Sequence, residues 1–366
     1  MLQFAEILQY ARGGYKAYFQ SYFDVNFTPG DWEKHKFNTM MLLSLETPLE
    51  LCRFLKTSIF RLEEIINSPV YEHYTIKKKR GGKRDIYVPD KQLKQIQKRL
   101  NYYLQAWYLC LKPNEVHGFV INPHYLGSHC NIVANAAVHT GRKHVLNIDL
   151  KDFFPSISAK HIKNLFTSSC FDYSEQVAIA LTLLTTYKGK LPTGAPTSPV
   201  LSNYVCLKLD DDLRTFCDEN RLYYSRYADD LTFSSDSIIP TDTILDVILL
   251  IKENGFEMNK KKLRVQSSNR RQTVTGLTVN EKVNVDRKLL KKIRAMLHDF
   301  AVNGLETATK HHFKPVAASE VERLKGRFMN RLKGYINFVG QVRGSEDSIF
   351  RRLKDTFDYF ETIYMT

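Results

Sequence analysis

The order of elements along this chain predicts a mixed α/β fold of the α+β kind, built on a split βαβ sheet and followed by a basic helical region. Three observations carry that expectation. An apolar strand, Val145 to Leu150, presents Asp149 near its carboxyl end. Further on, Leu222-Tyr223-Tyr224-Ser225-Arg226 and Leu231-Thr232-Phe233-Ser234 read as the arms of a tight hairpin with Tyr227-Ala228-Asp229-Asp230 at its tip. Helices are expected between and after these pieces, and the order strand, helix, hairpin, helix, strand places Asp149 and Asp229 on neighbouring strands. Charge is the third observation. The net charge is +14, and between Lys260 and Arg343 stand 20 Lys and Arg against 6 Asp and Glu, so the rest of the chain is close to neutral. Such an asymmetry marks a surface for a polyanion.

Taken from the N-terminus, residues 1–70 read as a helical, aromatic region without recognisable chemistry; Leu49 to Ile66 carries apolar residues at helical spacing, and Pro69 ends the run. Lys77-Lys78-Lys79-Arg80-Gly81-Gly82-Lys83-Arg84 then reads as a basic hairpin tip that places cations where a triphosphate can approach; the alternative is a solvated charge run. Past Asp149, helices are expected over His161–Phe166, Ser174–Thr186, Val200–Cys217 and Thr241–Glu253, with Gly255 just past the last of them, and Phe256 to Lys262 as the returning strand. Arg287–Phe300 and Glu322–Gln341 are amphipathic helices whose apolar stripes face inward, the first with Lys288, Lys291 and Lys292 on its other side.

Two adjacent carboxylates repel, and a fold keeps them together most readily when cations neutralise them. Carboxylates from a second element, here Asp149, are what a two-metal phosphoryl-transfer centre requires, so the pattern points to Mg²⁺. Six scattered cysteines with no Cys-x-x-Cys pair argue against a structural zinc site or a disulfide framework. The absence of a signal-like start or a long apolar run places the chain in the cytoplasm with no membrane association.

Residues 75 to 340 resemble the reverse transcriptases, in the family's order of sequence blocks. Leu191-Pro192-Thr193-Gly194-Ala195-Pro196-Thr197-Ser198-Pro199 is similar to the block that shapes the nucleotide and template pocket, and Gly255-Phe256-Glu257-Met258-Asn259-Lys260-Lys261-Lys262 to the strand and lysine block after the catalytic hairpin. Asn135-Ala136-Ala137-Val138-His139 and Val274-Thr275-Gly276 are similar to the pair of motifs that marks the retron branch of the bacterial enzymes. The resemblance implies a right-hand polymerase with an N-terminal region over 1–70, fingers over 71–140, a palm with fingers insertions over 141–280 and a helical, basic thumb over 281–366. It implies Asp149, Asp229 and Asp230 as catalytic residues that hold two Mg²⁺ ions, with Leu150 beside them in the metal site. Lys78, Lys79, Arg84, Phe154, Thr193, Gly194 and Lys262 are implied on the nucleotide, with Phe154 beneath the sugar, where a ring leaves no room for a 2′-hydroxyl. Lys261 is the alternative to Lys262, and Thr193 departs from the Gln that many relatives carry. Asn135, His139, Val274, Thr275, Gly276, Lys288, Lys291 and Lys292 are implied on RNA.

For the retron branch, the resemblance further implies a cognate folded non-coding RNA as template, a 2′-hydroxyl of that RNA as primer, dNTPs as substrates, an RNA-linked single-stranded DNA product, and a separate effector protein in antiphage defence. Structural readings stand beside two of the RNA assignments: His139 as a hydrogen-bonding residue within the fold and Gly276 as a tight backbone turn. Other classes of function are an intron-type or abortive-infection reverse transcriptase, a two-metal nuclease and a non-catalytic RNA-binding scaffold. The intron type is disfavoured by the absence of maturase and endonuclease extensions, the nuclease by Phe154 and the pocket block, and the scaffold by the intact carboxylates.

Overall fold

The computed structural model describes residues 31–78, 81–122, 129–314 and 318–365. Lys79 of the expected nucleotide-binding set lies outside the described residues, as does the first part of the expected N-terminal helical region. The chain forms two compact units, one of Met1–Asn131, Asn147–Phe233 and Ile239–Arg264, the other of Ile132–Leu146, Ser234–Ile238 and Val265–Thr366.

Helices α1 (Asp31–Leu43), α2 (Pro48–Leu55) and α3 (Ile59–Asn67) come first. The apolar run from Leu49 to Ile66 is thus broken, because Lys56 takes the left-handed φ of 53° that closes α2 while Ser58 caps α3 by accepting the Arg61 N–H. Strands β1 (Tyr71–Lys77) and β2 (Lys83–Pro89) pair antiparallel, from Tyr71 opposite Pro89 to Lys77 opposite Lys83. Gly81 and Gly82, at φ 90° and 83°, belong to their connection. Asp90 caps α4 (Lys91–Leu111), which buries Leu93, Leu100, Leu104 and Trp107.

The short α5 (Ile132–Ala137) precedes β3 (His144–Asp149), and α6 (Phe153–Ser156), α7 (Ala159–Thr167) and α8 (Glu175–Thr185) follow. Where one helix was expected from Val200 to Cys217 there are two, α9 (Ser198–Val205) and α10 (Leu207–Glu219), joined at Cys206. Strands β4 (Tyr223–Tyr227) and β5 (Asp230–Ser235) are the predicted hairpin, and α11 (Thr241–Glu253) has the predicted bounds. The returning strand is displaced. Met258 only bridges to Leu150, Lys260–Lys262 is a 3₁₀ turn, and the strand itself is β6 (Arg264–Ser267). Asn259 explains the shift, since its side chain accepts the Lys261 N–H and bends the backbone before a ladder can form. The sheet runs in the order β4-β5-β3-β6, which places the strand of Asp149 beside that of Asp230, as the split βαβ order requires.

In the second unit, β7 (Thr273–Val274) and β8 (Leu277–Thr278) form a minimal hairpin before α12 (Arg287–Phe313), α13 (Ala318–Arg343) and α14 (Ser348–Met365). The first of these helices extends well past the expected Phe300 and kinks at Gly304, whose φ is 74°. Ile293, Met296, Phe300, Phe328, Leu332, Ile336, Val339 and Phe357 form its core together with Val274 and Leu277. All six cysteines are free thiols. Among the described residues, no helix is long and apolar enough to cross a membrane.

Candidate active site

Asp149 ends β3 with only 6% of its surface exposed, and the backbone around it is locked on both sides. Its carbonyl accepts the Asn259 N–H at 2.8 Å, and the next N–H, that of Leu150, donates to the Asp229 carbonyl at 2.9 Å. Two backbone bonds therefore hold the β3 end against the hairpin tip and against the turn that carries Lys262. The Lys262 ammonium pairs with the Asp149 carboxylate, and Asn259 Nδ2 donates to its other oxygen at 3.4 Å. Of the two candidate lysines, Lys262 is the one that the structure brings to the carboxylates.

Electrostatics at this edge are unbalanced. Burial and the Asp149 charge raise the pKa of Asp229, opposed by Lys262 and Arg84. Burial, then Asp229, then Asp149 push Asp230 up to about 7. Water reaches the Asp230 side chain and screens part of that repulsion. Among the described residues, no three His, Cys, Asp or Glu side chains converge into a ready-made cage for an ion. The donor chemistry nevertheless suits a hard divalent cation, because burial and then the charges of Asp149 and Asp229, acting on their carboxylate neighbours, raise the pKa values of Asp229 and Asp230, while the Lys262 ammonium pairs with Asp149.

The hairpin tip is held from behind by residues outside the sequence motifs. Ala228 sits at φ 59°, a left-handed conformation that a residue with a side chain adopts only when its surroundings impose it. Arg226, fully buried, imposes it. Its Nε and Nη2 donate to both oxygens of Asp210 at 2.7 and 2.6 Å, and its Nη1 reaches Asn203 Oδ1 at 3.0 Å and the Ala228 carbonyl at 3.2 Å. Tyr224 donates its hydroxyl to Asp210 at 2.8 Å, and Asn203 Nδ2 donates to the Gly118 carbonyl at 3.0 Å. Gly118 lies directly beneath the tip: a Cβ there would stand 2.4 Å from the Ala228 nitrogen. A lone Arg inside a strand pattern otherwise apolar and aromatic is the signal that could have disclosed this network, since such a charge is tolerated only when paired.

The expected pocket residues gather on the first unit. Phe153 is buried, whereas Phe154 is half-buried and stacks on Phe119 with ring centroids 5.7 Å apart, so Phe154 is the more open ring of the pair. Thr193 accepts the Tyr87 N–H on its carbonyl at 2.8 Å, tying the pocket block to β2. Gly194 has φ 121°, and a Cβ there would lie 2.9 Å from both Ile86 Cγ2 and the Tyr87 carbonyl oxygen, so no other residue fits. Arg84 and Lys78 are exposed, and the charge of Arg84 acts on Asp229.

The residues expected on RNA lie in the second unit. Asn135, His139 and Val274 are fully buried; His139 Nδ1 meets Ser234 Oγ at 2.7 Å, while neither amide atom of Asn135 has a hydrogen-bond partner among the described residues. In this arrangement none of the three side chains reaches solvent. Thr275 and Gly276, at φ 47° and 84°, are the two turn residues between β7 and β8, and Thr275 Oγ1 donates to the Ile132 carbonyl at 3.2 Å. The two short motifs therefore meet at α5. Lys288, Lys291 and Lys292 are exposed on α12, and Lys292 donates to the Tyr335 hydroxyl at 3.0 Å.

Comparison with known proteins settles the class. The sequence profile described as reverse transcriptase (RNA-dependent DNA polymerase) matches residues 76–280. The chain belongs to the reverse transcriptase family. It is 32% identical over 302 residues to the Retron Ec86 reverse transcriptase of Escherichia coli, covering 79% of this chain and 86% of that one. It is 35% identical over 250 residues to the Retron Mx65 reverse transcriptase of Myxococcus xanthus, covering 63% and 56%. These likenesses make it a retron-type bacterial reverse transcriptase, an RNA-directed DNA polymerase of mixed helix and sheet. A solved telomerase from Candida albicans aligns over 80% of this chain and 64% of its own at 10% identity, with a TM-score of 0.46, too low to carry any part of the assignment.

Two expectations follow. Removing one side of the buried pair, with Asp210→Asn, strands Arg226 and costs about 3–5 kcal/mol in thermal or denaturant unfolding. Arg226→Met combined with Asp210→Leu recovers most of that stability but not polymerase activity. The raised Asp230 group means that the folded site binds protons more tightly than the unfolded chain does. Without metal, stability therefore falls as pH rises from the ordinary carboxylate range through about 7. Because a cation competes with those protons, the melting-temperature gain on adding Mg²⁺ should be larger at pH 8 than at pH 6.

Proposed function

We propose that this chain copies a cognate folded non-coding RNA into single-stranded DNA, starting from a 2′-hydroxyl of that RNA, and that the RNA-linked product serves antiphage defence with a separate effector protein in the cytoplasm. The observation that carries the catalytic part of the reading is the juxtaposition of Asp149 with Asp229 and Asp230 at one strand edge, with Lys262 on Asp149. The likeness to named retron enzymes supports the choice of template and product.

In this reading Asp149, Asp229 and Asp230, with Leu150 at their side, hold two Mg²⁺ ions. When bound, such a pair lowers the pKa of the attacking hydroxyl and neutralises the leaving pyrophosphate. The chain's own groups do the rest. Lys262 neutralises charge at Asp149 and is within reach of the phosphates as they arrive. Lys78, Lys79 and Arg84 draw the dNTP triphosphate, and Gly194 lets the pocket backbone approach closely. Thr193, shorter than the Gln of many relatives, leaves the same pocket roomier. Phe154 excludes a 2′-hydroxyl by contact. Lys288, Lys291 and Lys292 grip RNA phosphates, a contact that gives affinity and salt dependence rather than sequence choice. Asn135, His139 and Val274 act by shaping the α5 surface, which leaves Thr275 and Gly276 to meet the RNA.

The test is to express the gene with its flanking DNA and analyse the nucleic acid that purifies with the protein, beside an Asp229→Ala, Asp230→Ala control. A discrete DNA joined to, or trimmed from, a co-purified RNA and absent from the control is the expected result; RNA alone in both would overturn the reading. Phe154→Ala should raise ribonucleotide use relative to deoxynucleotide use by roughly tenfold to a hundredfold, the range of a single lost steric contact, as measured by competitive single-nucleotide incorporation.

A further inference from the structure

The segment His117-Gly118-Phe119 is held more firmly than a connecting loop requires, and nothing in the metal or phosphate chemistry above calls for it. Each of its residues is tied through the backbone to a different partner. The His117 N–H donates to the Arg226 carbonyl at 3.0 Å, the Gly118 carbonyl accepts from Asn203 Nδ2 at 3.0 Å, and the Phe119 carbonyl accepts from Gln105 Nε2 at 3.0 Å. Gly118 is wedged under the hairpin tip, where a Cβ would stand 2.4 Å from the Ala228 nitrogen and 2.9 Å from the Tyr227 carbonyl carbon. Gln105, Asn203 and Arg226 are all buried. The segment is thus part of the network that fixes the tip.

What this frame holds is an unusual residue. Phe119 has φ 61°, in the left-handed region that a bulky side chain occupies only when its surroundings impose it. In that conformation its ring stacks on Phe154, with centroids 5.7 Å and planes 29° apart. Phe154 sits on α6, a helix of four residues, and a single turn gives a side chain little rigidity of its own. Its chain neighbour Phe153 lies tilted against it at 5.6 Å and is itself buried beside Phe256 at 5.9 Å. Two rings therefore contact Phe154, one from its own helix and one from the anchored segment. Core packing does not account for Phe119, because the residue is only half-buried and the backbone that carries it is strained.

We propose that Phe119 is a positioning residue for sugar selection: by stacking on Phe154 it keeps that ring in one place, so that the ring meets a 2′-hydroxyl instead of yielding to it. Exclusion by contact works only when the excluding group cannot retreat, and a ring held by a second ring on a fixed backbone cannot. The inference deepens the reading of Phe154 as the residue that excludes ribonucleotides, and rests on it. It also ties sugar choice to the Arg226 network, since Arg226 and Asn203 hold both this segment and the carboxylate-bearing tip.

The experiment uses the full chain in primer extension on an RNA template, with one deoxynucleotide and its ribonucleotide counterpart competing for the same step. Because both compete for the same active molecules, the ratio of their use does not depend on how much of a variant is folded. Phe119→Gly removes the ring while leaving the left-handed backbone free of strain, and should raise ribonucleotide use relative to deoxynucleotide use by about tenfold. Phe119→Tyr keeps the ring and should keep the wild-type ratio. In Phe119→Gly combined with Phe154→Ala there is no ring left to hold, so the ratio should equal that of Phe154→Ala alone. A merely structural role would slow both nucleotides together and leave the ratio where it was. An unchanged ratio in Phe119→Gly while Phe154→Ala shifts it, or two shifts that multiply in the double variant, overturns the proposal alone. An unchanged ratio in Phe154→Ala itself marks failure of the underlying sugar-exclusion reading, and the proposal falls with it.

Discussion

The fully buried Arg226–Asp210 ion pair is the constraint on which the carboxylate-bearing edge of the sheet depends. An arginine out of water is costly unless both its charge and its donors are met, and here Asp210, Asn203 and the Ala228 carbonyl meet them together. Each partner comes from a different piece of chain: α10, α9 and the hairpin tip. The guanidinium therefore fixes the tip relative to the helix that leaves the pocket block. It also supports the left-handed turn at Ala228 that sets Asp229 beside Asp149. A lysine could carry the charge but could not span these acceptors.

Around that fixed point the site carries an imbalance of charge. Asp149 is paired with Lys262, whereas burial and the neighbouring carboxylates raise the pKa values of Asp229 and Asp230. A divalent cation bound there would compete with protons for the same few carboxylate oxygens. The protein contributes rigidity to that competition, through the backbone bonds that join Asp149 to Asn259 and Leu150 to Asp229.

What the sequence disclosed and what it concealed follow from how local each feature is. Asp149, the Asp229–Asp230 hairpin and α11 were legible because a strand or helix period and its turn residues lie within a dozen positions. The pocket block was legible as a motif, but the reason for Gly194 was not, because the Ile86 and Tyr87 atoms that forbid a Cβ lie more than a hundred residues earlier. Asp210 stands in Leu209-Asp210-Asp211-Asp212, which reads as a solvated acidic turn of helix; only the tertiary fold shows that Asp210 is buried while Asp211 is exposed and Asp212 half-buried. Asn135 and His139 present the converse situation. Their motif was visible, but a six-residue helix gives too little periodicity to show which way its polar residues point; Asn135 on α5 and His139 just past its end are both buried.

The most direct test of the account is single-turnover primer extension on an RNA template with one dNTP, as a function of Mg²⁺, for the wild type and Asp149→Asn. The account predicts template-directed addition that rises with Mg²⁺ in the wild type and falls by about a thousandfold or more in the variant, as expected when a group acting mainly in the transition state is removed. Addition that survives in Asp149→Asn, or strand cleavage without nucleotide in place of extension, would contradict it.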